Sequence, residues 1–93
     1  PENTRLLLEQ GQLFHKEKMY DKAVESYSKA LKYSEANNYR LGEWLANYFR
    51  GITLDKQGKW NLAEKDLLMA KAIDPYDPLL INYLAYSDSV FLG

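Results

Sequence analysis

The chain has 93 residues, 46% of them hydrophobic and 27% charged, with a formal net charge of −1 and no cysteine. That length allows one domain with a thin core, and the composition is globular rather than disordered. The near-neutral balance gives no global basic field for nucleic acid, and the missing thiols exclude a disulfide scaffold, a cysteine nucleophile and a cysteine-based metal site.

Proline is confined to positions 1, 75 and 78, which leaves long stretches open to helix. Thr4 to about Lys16 carries Leu7, Leu8, Gly11 and Phe14 at helical spacing, with Thr4 as the expected N-cap. Tyr20 to about Ala36 carries Ala23, Val24, Tyr27, Ala30 and Leu31 on one stripe, and Asn37-Asn38 ends it. Leu41 to about Lys56 carries Trp44, Leu45, Tyr48, Phe49 and Ile52, with Gly58 as its stop. Asn61 and Glu64 have the spacing of a capping box, opening a fourth helix to about Ile73. Residues 74–78 read as a turn, and Pro78 suits the first turn of a fifth helix to about Val90.

The chain also repeats itself. A shift of 40 sets Gly11 on Gly51, Phe14 on Leu54, Tyr20 on Trp60, Ala23 on Ala63, Tyr27 on Leu67 and Ala30 on Ala70. Small residues fall on small, and large apolar residues on large apolar ones. The four alanines are therefore expected where two helices touch.

This order of residues resembles the tetratricopeptide repeat (TPR). That signature has a small residue and then an aromatic in one helix, an aromatic opening the next, and Ala, bulky residue, Ala and Pro after it. Gly11, Phe14, Tyr20, Ala23, Tyr27 and Ala30 fit it, as do Gly51, Leu54, Trp60, Ala63, Leu67, Ala70 and Pro75. Phe14, Tyr20, Tyr27 and Trp60 hold signature positions, which implies that they pack in the core. The resemblance covers nearly the whole chain. It implies an all-α, right-handed superhelix of antiparallel helical hairpins: a first repeat over 4–37, an insertion at 38–43, a second repeat over 44–77, and the first or capping helix of a third unit over 78–92. The chain departs from the pattern at Leu7 and Asn47, where Trp is usual, and at Gln10 and Arg50, where Leu is usual. Asp88 stands where the third unit would carry an apolar residue. The stretch from Asp74 to Ser87 resembles the inter-repeat segment of long bacterial TPR proteins. Opening on Pro1, the chain reads as a piece of a longer protein, with cytoplasm and periplasm both open as its compartment.

In TPR arrays the first helix of each hairpin lines a concave groove. Carried across, the resemblance implies a peptide groove of Leu8, Gln12, His15, Lys16, Leu45, Tyr48, Ile52, Asp55, Asn82 and Tyr86. An apolar centre with polar ends suits an extended or helical peptide. The two-carboxylate clamp of chaperone-binding TPR domains is absent, since its positions hold Leu8, Gln12, Phe49, Leu79 and Tyr83. His15 is the only histidine, and no Ser-His-Asp arrangement, metal-ligand cluster or glycine-rich phosphate loop is present. The expected function is a non-enzymatic scaffold that binds a protein or peptide, without cofactor or metal, nucleic acid or direct membrane contact. Two alternatives stand beside it: a module that only stacks on its own copies, with 79–92 as the apolar contact, and an RNA-binding helical repeat. The second would need a basic stripe, and 12 Lys and Arg are set against 13 Asp and Glu.

Overall fold

The computed structural model describes residues 2–73, and all of the regular structure among them is α-helix: α1 (Glu2–Lys16), α2 (Tyr20–Ala36), α3 (Arg40–Lys56) and α4 (Trp60–Ile73). The expected turn at 74–78 and the helix 78–92 lie outside the described residues.

The three turns close in one way. Lys18, Asn38 and Gly58 each take a left-handed backbone, with φ of 61°, 53° and 77°. The next residue then sends its N–H back five positions: Met19 to the Phe14 carbonyl at 2.8 Å, Tyr39 to Ser34 at 2.8 Å, Lys59 to Leu54 at 2.9 Å. This Schellman closure satisfies carbonyls that the helix end would otherwise orphan. Gly58 has nothing within 4 Å of where a Cβ would stand, so glycine serves the backbone angle there and not a close approach.

Two expected caps are corrected. α1 begins at Glu2, and Thr4 is a buried residue inside it, accepting a hydrogen bond from Ser34 Oγ at 3.4 Å. α4 begins at Trp60, because Lys59 leaves the turn already accepting from the Ala63 N–H at 2.9 Å. Asn61 therefore stands in the first turn, two places past the capping position at Lys59.

Side-chain pairing gives the packing. Gln10 meets Ser26, Gly11 meets Tyr27 and Thr4 meets Ser34, so numbers rise on α1 as they fall on α2: the two run antiparallel. α2 and α3 are antiparallel too, through Asp21–Gln57 and Ser28–Arg50 hydrogen bonds and the stacked rings of Tyr27 and Phe49. α1 and α3 run parallel, and His15 reaches Thr53 between them. A Cβ on Gly11 would stand 2.7 Å from Tyr27 Cδ1, and one on Gly51 would stand 2.8 Å from Leu67 Cγ. Both helix pairs therefore close over a glycine with a large side chain against it. Ala23, Ala30, Ala63 and Ala70 are all buried beside these contacts.

One core cluster holds Leu8, Ala23, Tyr27, Ala30 and Ala46, and a second holds Trp44, Leu67 and Ala70. Leu45 touches both. The expectation for the aromatics holds at Tyr27 and is corrected at Trp60, which is 55% exposed; Phe14 and Tyr20 are half-buried. Tyr20 is covered by the edge of His15, ring centroids 5.2 Å apart, whereas the position equivalent to His15 beside Trp60 is Asp55, which has no ring to offer.

The departure at Arg50 has a structural role. Its guanidinium grips Asp66 with two bonds, Nε to Oδ2 at 2.6 Å and Nη2 to Oδ1 at 2.9 Å, and Nη1 donates to Ser28 Oγ at 3.1 Å. One side chain of α3 thus ties α4 to α2. The paired side chains are 21% and 7% exposed, so the pair is largely withdrawn from water. The equivalent pair in the first half is Gln10 and Ser26, at 3.4 Å. Asn47, the other departure, is buried and donates to the Glu43 carbonyl at 2.9 Å.

Arg50→Leu should cost about 3 kcal/mol by stranding the Asp66 carboxylate, and Arg50→Leu with Asp66→Ala should recover most of it. Urea denaturation midpoints read both; equal losses in the single and double variants would deny the pair this role. Lys18→Gly should stabilise the chain by roughly 1 kcal/mol, since a left-handed lysine costs about that much and glycine does not. A thermal melt checks it, and an unchanged or lower midpoint counts against the strained turn.

Candidate functional site

α1 and α3 lie side by side, and α2 fills the space beneath them. Where the C-terminal halves of α1 and α3 approach, they leave an open depression of about 220 Å³ lined by Gln12, His15, Tyr27, Phe49 and Ile52. Tyr27 is fully buried, and it stacks on Phe49 with centroids 5.8 Å apart and planes 25° from parallel. Those two rings make an aromatic base. Burial pushes the Tyr27 phenol up to about 12, against a smaller opposing effect of its hydrogen bond to Thr53.

His15 fixes the wall. Its Nδ1 lies 2.8 Å from Thr53 Oγ1, and Thr53 in turn donates its hydroxyl proton to the Phe49 carbonyl at 3.0 Å. Burial lowers the His15 pKa from its ordinary 6.5, and the nearby Lys56 ammonium lowers it further. The neutral ring is therefore the form this wall favours.

Three of the expected groove residues come together here: Gln12, His15 and Ile52. Lys16 is exposed at the end of α1. Leu8 belongs to the core instead, packed in the first cluster, and does not line the depression. Leu45 is half-buried against both core clusters. Tyr48 is half-buried and stacks on Trp44 at 5.5 Å, beside the second cluster. Asp55 is half-buried. Asn82 and Tyr86 lie outside the described residues.

Sequence reasoning missed Phe49, Tyr27 and Thr53 as parts of this site. Phe49 was within reach, because Leu45, Phe49, Ile52 and Lys56 share one face of α3 at three- and four-residue spacing. Tyr27 was assigned to the core alone, and it is both core and base. Among the described residues, no helix is long and apolar enough to cross a membrane.

The pH dependence of stability follows from His15. Just below the ordinary histidine value of 6.5 the unfolded chain binds more protons than the folded one. The contribution is therefore complete above that value and is lost as the pH falls through the lowered folded value. Wild-type urea midpoints should fall between about pH 7 and pH 5. His15→Gln should flatten that slope, and an identical slope in the variant would place its origin elsewhere.

No protein-family model matches the chain, and no curated protein or solved structure matches it either.

Proposed function

We infer that the chain is a TPR-like protein-interaction module, a right-handed superhelix of antiparallel hairpins whose α1–α3 face receives a peptide, and not an enzyme. The observation that carries this reading is the depression over the Tyr27–Phe49 pair. It is open, aromatic at its base and bordered by hydrogen-bonding groups on Gln12 and His15, which is the usual make-up of a side-chain pocket in a peptide groove. The 40-residue recurrence of glycine, bulky residue and alanines, with each glycine met by the bulky residue 16 positions on and all four alanines buried, supports the TPR-like assignment.

A second reading, stacking of copies, is favoured by one observation. Leu6 and Leu13 of α1 are 50% and 64% exposed, whereas the residues 40 positions on, Ala46 and Thr53, are completely buried. α1 thus presents apolar side chains where α3 has its neighbours.

The test is selection of random dodecapeptides displayed on phage against the intact chain. Selected peptides should lose at least roughly tenfold in affinity, about 1.4 kcal/mol, on Ile52→Asp, with helicity by circular dichroism unchanged. Binding indifferent to Ile52→Asp removes the groove from the account. Concentration-dependent sedimentation abolished by Leu13→Asp supports the stacking reading instead.

A further inference from the structure

The chemistry around the depression says more than that a peptide enters it. The base is apolar and has room for one large side chain. Lys56 closes the last turn of α3 on the His15 side, near enough for its charge to depress the imidazole, and Lys16 closes the last turn of α1. Both lysines are exposed, and neither forms an ion pair among the described residues. Glu2 and Glu9 pair with Arg5, and Glu43 stands in the first turn of α3, away from this end; here Glu17 follows Lys16, Asp55 with a contact of its own precedes Lys56, and Lys18 and Lys59 stand in the turns. Four lysines set against two carboxylates leave two positive charges at this end, and the two helix C-termini take back roughly half a charge each, so the rim keeps a net positive charge of about one. The His15 ring adds no opposing charge.

We propose, resting on the peptide-groove reading, that this site selects an acidic peptide segment with one large apolar side chain: the apolar group seats over Tyr27 and Phe49, and a neighbouring carboxylate meets Lys56, with Lys16 as the second cation. The pocket supplies affinity, and the lysines discriminate against neutral and basic sequences.

The experiment uses three synthetic dodecapeptide pools and the intact ¹⁵N-labelled chain. One pool has a central Leu or Phe with flanks drawn from Asp, Glu, Ser and Gly. A second replaces the flanking acids by Lys and Arg, and a third keeps the acids but places Ala at the centre. The acidic apolar pool should shift the amide resonances of Gln12, His15 and Ile52 and bind at least tenfold more tightly than the other two. Lys56→Glu should invert the preference between the first two pools. Equal binding of acidic and basic pools at those same resonances overturns the charge assignment and leaves the groove reading standing. Preference for the acidic pool that persists in Lys56→Glu, or shifts confined to other residues, overturns the proposal. Failure of every pool, together with failure of the phage selection, overturns both readings.

Discussion

Helix spacing in this chain is set where Tyr27 lies against Gly11 and Leu67 against Gly51. A side chain larger than hydrogen at either glycine would occupy space that the ring or the branched chain already holds. Each helix pair closes there, and the flanking alanines carry the close approach along α2 and α4. The depression over Tyr27 is a by-product of the same contact. The ring has to reach across to α1, and in doing so it leaves its other side to Phe49 and the α1–α3 face.

The seam between the two helix pairs obeys a different logic. It is joined by hydrogen bonds as much as by apolar contact: Arg50 to Ser28, His15 to Thr53 and Gln57 to Asp21, with the same arginine bound to Asp66 inside the second pair. A leucine at position 50 would bury more apolar surface, and a well-packed apolar replacement of such a pair is often neutral or favourable for stability. What the arginine adds is geometry. A planar fork bound twice to one carboxylate and once to a hydroxyl fixes the rotation of α4 and α2 about α3, which apolar contact leaves loose.

Much of this was legible in the sequence. Hydrophobic periodicity placed all four described helices to within a few residues, because each stripe is regular and bounded by Asn, Gly or a polar run. The repeat set Gly11 on Gly51, small residue on small, and both are points where a helix pair closes. Periodicity says which face is apolar, however, and not which neighbour covers it. Thr4 resembled a cap because Ser34 and Gly42, which enclose it, lie 30 or more positions away. Trp60 was assigned to the core by analogy with Tyr20, whose cover comes from a histidine with no counterpart ring in the second half. Leu8 was placed in the groove and Phe49 left out of it for the same reason: the boundary between core and surface on α1 and α3 depends on how far Tyr27 reaches.

The uniform turns have a further consequence. Left-handed residues recur at 18, 38 and 58, so α2 and α3, each with its turn, are units of equal length, and α1, α2 and α3 each close by bonds within the last six residues of helix and turn. Every extensive contact between the described helices then joins elements adjacent in the chain or one removed. Little loop entropy is spent before a contact forms, which places the chain among architectures that assemble on the microsecond to millisecond scale. The same locality means that tension applied at Glu2 and Ile73 would peel the described helices away one at a time from the outside, since no extensive contact clasps α1 to α4.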